Sequence, residues 1–522
     1  MLDRLAFALR VAQKAFRASG RSPQQLRKRY AAAQMGRLVG DWFPVGTDVN
    51  ALVTRAAPLV RERTRQLVRD FPAFARAANA LTTYVVGAGI QFQSRVLGPD
   101  NKPHKIFRTR IEDALKHWMD DADVSGSAAF SQHFFELQAL AKRQDVEQGE
   151  CFAVFRPHHE GRRAYLDSGI ALYESERLAS LNVKPLHGNL VHEGIEYDAR
   201  TGSPLAFHFV EDTLIYKTVR VPAEDVVFGL DRRRPAQMRG ITPFAPALML
   251  ARDLAMTMDA EIDAAKLASK WLAVVKTPDV DNFQKDRVTP GADNKPLEML
   301  ENAIIEYLNP GEEISIQSHQ RGGESFQSFC KFIMRLIAIT ADIPYEILSG
   351  DYNGMGYISL RVGRNDFAQQ LAPIQSRHVR HFCQPIFRKV LDRAVLQGRL
   401  DLPGYWANPW GFQRGVWICP GMKEVDPLRE VKSAIERIRA GLGSPQEYIM
   451  ERGGDPDQVL SDISAWKQAC AEMGLNFEAM LGSVKTAMAN NPAAISPDDK
   501  SALDPPDDAD DPTADAATEE LQ

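Results

Sequence analysis

The sequence predicts a mainly helical α+β protein, and three observations carry that prediction. Apolar residues recur at helical intervals over residues 61–86, 243–271, 326–341 and 358–397. Short runs rich in β-branched and aromatic residues gather between Cys151 and Gly229. Past residue 426 the chain turns to short helices with their own start and stop signals.

From the N-terminus, RERTRQLVRDFPAFARAANALTTYVV (61–86) sets Leu67, Phe71, Phe74, Ala78 and Leu81 at helical spacing, with a break near Pro72, which lacks a backbone donor. The GAG at 87–89 stops this helix. CFAVF, AYL, LVHEGIEY, LAFHFV and KTVRV read as strands, and EYDARTGSPLAFHF (196–209) as strand, turn and strand with Gly202 and Pro204 in the turn. Thr242 and Pro243 mark the next helix start: threonine caps free backbone N–H groups, and proline at the first position loses no bond. That helix is expected to reach about Trp271. Residues 276–300 read as a mostly polar excursion, EEISI (312–316) as a strand, and Phe326–Ala341 as a helix leading through DIPYEIL into the glycine-rich stretch GDYNGMGY (350–357). Beyond it, Leu360, Phe367, Leu371, Ile374, Phe382, Ile386 and Val390 form one apolar stripe continuing to about Gln397, a helix of about 60 Å. Pro373 and Pro385 inside it predict kinks. Leu428–Ala440 stops at Gly441, SPQE (444–447) is a capping box, and DPDQ (455–458) opens another helix. Past Ala489 the Pro-, Asp- and Ala-rich sequence cannot bury enough surface to offset the entropy of ordering.

The 522 residues allow two to four domains, and 44% hydrophobic with 25% charged residues is ordinary for globular chains. The start has no signal-peptide pattern and no segment holds ~18 uninterrupted apolar residues, so a soluble, intracellular protein is expected, with no membrane partner. Cys151, Cys330, Cys383, Cys419 and Cys470 are odd in number, scattered and never spaced CxxC, which argues for core thiols over disulfides or zinc ligands. The net charge of −5 is unevenly laid out: residues 497–522 sum to −9, and residues 1–40 to +8. Solvated ends account for both; a nucleic-acid contact by the basic arm is the alternative.

GDYNGMGY invites a nucleotide reading, but a phosphate loop needs a lysine after its second glycine, and a dinucleotide loop needs a glycine where Ser359 stands. A loop before a helix, with Asp351 and Asn353 as turn residues, is the simpler reading. HEGIE (192–196) offers His192 and Glu193 but has Glu196 where a zinc protease needs a second histidine, so it reads as strand-edge polarity. His378, His381 and Cys383 in RHVRHFC fall at mixed spacing with no companion pair. No nucleophile motif is present, so neither a catalytic residue, a metal site nor a cofactor is expected. Arg361 and Arg364 lie three apart, as do Arg377 and Arg380, so each pair shares a face away from the apolar stripe. Such faces are solvated by default, yet in a ring of subunits they could surround a polyanion with diffuse attraction.

Several stretches together resemble the lambda type of tailed-bacteriophage portal proteins. VVGAGIQFQ (85–93) after the 61–86 helix, GIEYDARTGSPLAFHF, RGITPFAPALMLARDL (239–254), ADIPYEILSGDYNGMGYISLR (341–361) and DPLREVKSAIERIRAGLGSPQEYIMERGGDP (426–456) follow the family's order over roughly residues 41–474. The family commonly has two serines after the tyrosine; here Tyr357 precedes Ile358 and Ser359. The resemblance implies the portal fold, assembled as a ring, usually a dodecamer, at one capsid vertex of the virion, formed in the host cytoplasm. Double-stranded DNA enters through it, driven by the terminase large subunit, and later leaves; the major capsid protein or scaffold and head-tail connector proteins are the other implied partners. It further implies a basic arm (1–40), a wing (41–242), a stem helix (243–275), a clip and return (276–311), a wing return (312–344), a tunnel loop (345–357), a long kinked helix (358–400), a crown (401–485) and an acidic tail (486–522). Asp351, Tyr352, Asn353, Gly354, Met355, Gly356 and Tyr357 would then touch passing DNA, with Arg361, Arg364, Arg377 and Arg380 behind them. A nucleotide-dependent enzyme using residues 350–357, or a monomeric nucleic-acid adaptor using the arm, are the rival readings.

Overall fold

The computed structural model describes residues 48–98, 104–125, 131–159, 162–179, 183–186, 188–212, 217–276, 297–300, 303–308, 323–422 and 427–473. In chain order its elements are α1 (Val49–Asp70), α2 (Pro72–Val86), β1 (Gln91–Ser94), α3 (Lys105–Asp120), α4 (Phe134–Gln148), β2 (Glu150–Pro157), β3 (Ser168–Tyr173), β4 (Leu190–His192), β5 (Ile195–Tyr197), β6 (Pro204–Asp212), β7 (Lys217–Pro222) and β8 (Val226–Leu230). There follow α5 (Leu248–Lys270), β9 (Trp271–Lys276), β10 (Leu297–Leu300), β11 (Ala303–Leu308), α6 (Gly323–Thr340), α7 (Tyr345–Ser349), α8 (Tyr357–His378), a π-turn (Val379–Cys383), α9 (Gln384–Leu396), α10 (Pro409–Phe412), β12 (Gly415–Ile418), α11 (Pro427–Arg439), α12 (Pro445–Glu451) and α13 (Pro456–Glu472). The described residues fall into two compact units, one within 1–75, 144–152 and 173–341, the other within 76–143, 153–172 and 342–522. Residues 41–242, expected as one wing, contribute to both.

In the first unit α1 begins at Val49, twelve residues ahead of the periodic stretch, because the carboxylate of its N-cap Asp48 accepts the Asn50 and Ala51 N–H groups (3.0 and 3.2 Å). It ends before Pro72, as the missing donor predicts. Strands β4, β5, β6 and β7 form an antiparallel meander in that order, with Ile195 opposite Phe207 and Phe207 opposite Val221. Phe152, Phe207 and Phe209 fill its core. Thr242 holds a turn, not the expected helix start: its Oγ1 accepts the Phe244 N–H (3.1 Å) and donates to the Val146 carbonyl (2.8 Å). A 3-10 turn (Ala245–Ala247) intervenes, so α5 starts at Leu248. It also stops at Lys270, short of the expected 271–275, because WLAVVK goes instead to β9, which pairs parallel to β11. The polar excursion gives way at Leu297 to β10, antiparallel to β11; residues 277–296 and the EEISI stretch lie outside the described residues.

A buried ion cluster holds the RGI stretch before α5. The Glu150 side chain is fully buried and accepts from Arg239 Nε (3.1 Å to each oxygen), Arg239 Nη2 (2.6 Å) and the Gly240 N–H (2.7 Å), with Arg61 Nη2 at 3.8 Å. Burial pushes the Glu150 carboxyl up, but the Arg239 charge and hydrogen bonds, the Gly240 N–H and Arg61 outweigh it and hold it below the usual range.

In the second unit, β1 pairs antiparallel with β12, Phe92 opposite Trp417, and the Phe92 ring lies 4.0 Å from that of Phe387 on α9. The GAG turn that ends α2 is a steric requirement at Gly89, with φ +126° and a Cβ position only 2.1 Å from the Phe135 ring. The side-chain amide of Gln138 then pairs with the Ile90 backbone, accepting its N–H (2.8 Å) and donating to its carbonyl (3.1 Å). The long helix carries Pro373 inside α8 and turns to π geometry just before Pro385: the Gln384 N–H reaches back five residues to the Val379 carbonyl. Pro385 supplies no donor to the His381 carbonyl, so widening the turn there relieves the ring clash that an α-turn would impose. The predicted capping box is present, Ser444 Oγ accepting the Glu447 N–H (3.2 Å) while Glu447 accepts the Ser444 N–H (3.1 Å), and Asp455 caps α13. Of the five cysteines, Cys151, Cys383 and Cys470 are buried; Cys330 and Cys419 are partly exposed.

Candidate nucleic-acid interface

The GDYNGMGY stretch joins two helices that are each fixed to α2. The Arg76 guanidinium donates to the Ile347 carbonyl of α7 (3.1 Å), and Ile347 and Leu348 are buried. Gly350 ends α7 in the left-handed conformation, φ +72°, with its N–H on the Glu346 carbonyl (2.8 Å). An Asx turn follows, Asp351 accepting the Asn353 N–H (3.2 Å), and Gly354 is again left-handed at φ +76°. Gly356 differs: at φ −72° it occupies ordinary extended backbone as the N-cap of α8, so the stretch needs glycine for its conformation at Gly350 and Gly354 only. A Cβ at any of these three glycines would meet open space. Tyr352 is half exposed, Asn353 and Gly354 are exposed, and Asp351 and Met355 are partly so.

Between Ile358 and Asp366 no side chain of α8 is buried; its first buried side chain is Phe367, which lies edge-on to Tyr84 at 5.2 Å, and the next is Leu371. Gln375 Nε2 donates to both the Tyr84 and Pro420 carbonyls at 3.0 Å, tying α8 to the end of α2. On the first two turns of α8, Ile358 and Val362 are exposed.

The structure separates the four arginines. Arg361 lines a cavity of about 840 Å³ together with Asn365, Leu371 and Gln375 of α8 and with Glu430, Glu447 and Glu451 from beyond residue 420. Arg437 and Arg452 line it too, so the cavity wall carries both signs of charge. Arg364 and Arg377 are half-buried and Arg380 is exposed; none of these three lines that cavity.

The other motif candidates resolve into structure. Among the described residues no group of three or more His, Cys, Asp or Glu side chains is arranged to hold a metal ion. His378 and Cys383 are buried and His381 is partly so, with the His378 ring stacked on Phe382 at 5.3 Å. HEGIE is not strand-edge polarity. Glu193 and Gly194 make the β4–β5 turn with positive φ, and Glu196, fully buried, accepts from Arg220 Nε (2.8 Å), Asn189 Nδ2 (2.6 Å) and the Leu186 N–H (3.3 Å) and pairs with His208 Nε2 (3.0 Å). The Arg220 hydrogen bond leads the effects that lower its carboxyl to about 2. Sequence reasoning missed this cluster because alternation along β5 shows which face Glu196 takes but not that Arg220, two strands away, answers it. No helix among the described residues is long and apolar enough to cross a membrane.

Similarity to known proteins agrees with the motif order. The portal protein B of Escherichia phage lambda is 26% identical over 500 residues, covering 84% of this chain and 92% of its own. The portal protein of Escherichia phage N15 is 24% identical, covering 84% and 89%, and the probable portal protein of Halomonas phage phiHAP-1 is 23% identical, covering 85% and 87%. Among solved structures, the neck of the native GTA particle aligns with 81% of this chain and 99% of its own at 14% identity and a TM-score of 0.39. Residues 35–375 match the profile of the phage portal protein, lambda family, well over half of the sequence, and the chain therefore belongs to that family.

Proposed function

We propose that copies of this portal protein close into a ring, of twelve as in the family, around a channel for double-stranded DNA, with residues 350–357 on the channel wall and the helix of 358–400 behind them. The observation that carries this reading is the surface of three helices. Met249, Met256 and Ile262 on α5, Phe329, Phe332 and Ile339 on α6, and Ile358 and Val362 on α8 are all exposed, Ile358 to 75% and Ile339 to 69%. Large apolar side chains repeated at helical spacing on several exposed faces mark association surfaces, and a ring supplies each copy with two neighbours.

The loop suits sliding contact. Asp351, Tyr352, Asn353 and Met355 touch a duplex without phosphate-clamping groups, and Gly350, Gly354 and Gly356 have free space around them. Arg361, Arg364, Arg377 and Arg380 add a diffuse, salt-sensitive attraction. In this reading the wing, stem (243–275), clip (276–311) and crown (401–485) take the family's positions, the terminase large subunit docks on the clip side, and capsid or scaffold and connector proteins complete the vertex. The family is a structural one, and the chain needs no cofactor for this role.

Light scattering and negative-stain microscopy of the full chain test the ring: particles with a central hole are expected, and a stable monomer under assembly conditions would sink the reading. For the loop, deletion of residues 351–356 is expected to leave rings intact while impairing packaging or retention of DNA. Unchanged packaging would remove the loop from the mechanism.

A further inference from the structure

Two helices of the C-terminal region carry apolar stripes that none of the described residues covers. Along α11, whose thirteen residues include a single buried side chain among those described, Ala434, the residues Val431 and Ile435 are exposed, and Leu442, past the helix end and the left-handed Gly441, is 73% exposed. Along α13, only Pro456 and Cys470 near its two ends are buried; Leu460, Ile463 and Trp466 are exposed, with Met473 following. An isolated helix of about 12–15 residues is marginal in water, and helices in proteins take most of their stability from packing an apolar face. Both stripes therefore require a partner. The charges on the two helices are opposite: α11 carries Arg429, Lys432, Arg437 and Arg439 against Glu430 and Glu436, whereas α13 carries Asp457, Asp462 and Glu472 against Lys467.

We infer that α11 of one copy packs its Val431–Ile435 stripe, with Leu442 past its end, against the Leu460–Ile463–Trp466 stripe of α13 in the adjacent copy. The inference rests on the ring reading above. Two different, complementary surfaces on one chain make a head-to-tail contact, the kind that closes a ring. The net charge of +2 on α11 and −2 on α13 steers the pairing and disfavours α11 against α11 or α13 against α13.

The test is hydrogen exchange of the full chain in its assembled form, reading the peptide that spans residues 427–442. In wild-type rings this peptide is expected to be protected. The Leu460→Glu/Trp466→Glu variant, altered only in α13, is expected to raise its exchange at least tenfold. Charge reversal on α11 (Lys432→Glu, Arg439→Glu) is expected to do the same, and adding Asp457→Lys and Asp462→Lys to restore protection. Rings that form with residues 427–442 equally protected in the α13 variant would overturn the pairing and leave the ring reading standing. Loss of protection on truncation after Met473, with none in Leu460→Glu/Trp466→Glu, would assign the α11 stripe to the chain's own C-terminal segment and likewise overturn it. A wild-type chain that never forms rings would overturn both.

Discussion

Replacing Arg239 by methionine should destabilise the first unit by about 3–5 kcal/mol, the usual cost of leaving one partner of a buried ion pair behind. The geometry sets that scale. Glu150 has no exposed side-chain surface, and Arg239 provides three of its close contacts, at 3.1, 3.1 and 2.6 Å. What remains is the Gly240 N–H at 2.7 Å and Arg61 at 3.8 Å, too little to solvate a carboxylate in the interior. Methionine keeps most of the arginine stem's volume, so the loss is electrostatic more than steric. Amide exchange in β2, read by mass spectrometry, measures the local opening free energy, and the loss corresponds to exchange faster by about 10²–10⁴-fold. The Glu150→Met/Arg239→Met double variant removes both charges and leaves mainly the Gly240 N–H unanswered, about 1–3 kcal/mol. It should therefore exchange more slowly than Arg239→Met alone, a coupling read from the double-mutant cycle. An Arg239→Met change below about 1 kcal/mol, or a double variant as damaged as the two single variants added together, would refute the reasoning.

Gly89→Ala should be among the most damaging small substitutions in the second unit, at about 3 kcal/mol or more, because a Cβ there falls 2.1 Å from the Phe135 ring on backbone at φ +126°; thermal unfolding checks this, and adding Phe135→Ala should recover little, since the backbone strain persists. Glu196, held at about 2 when folded, contributes stability that is complete above the ordinary carboxyl range near 4.5 and fades as pH falls from there toward 2, on the order of 2 kcal/mol. Unfolding midpoints across that window should show the loss, and a Glu196→Gln variant with the same slope would contradict the assignment. Ser444→Ala removes half of the capping box and should cost about 1 kcal/mol, visible as faster amide exchange over residues 445–451 with little change elsewhere.

The sequence by itself determined the features that depend on neighbours within a turn or two. The stop at Gly87–Gly89, the break at Pro72 and the box at Ser444–Glu447 all fall where the residues say, because each is a local contest for a few backbone hydrogen bonds. The family was legible for a related reason, since several such stretches occur in a fixed order. Where local preference was weak the reading slipped: WLAVVK suits a helix end or a strand, and its pairing with β11 decided.

Only the tertiary structure decided how remote residues meet. Glu150 and Arg239 stand 89 positions apart, and nothing near either announces the other. The candidate interface shows the same limit: spacing put Arg361 and Arg364 on one face of a helix, but the fold placed Arg361, and not Arg364, on a cavity wall shared with Glu430, Glu447 and Glu451 and made Gly356, unlike Gly350 and Gly354, a glycine of ordinary conformation. An apolar stripe also reads the same whether it is covered by its own chain, as at Phe367 and Leu371, or left open, as at Val431 and Ile435. Periodicity reports which face of a helix must be buried. What buries it depends on segments distant in the chain, or on another copy altogether.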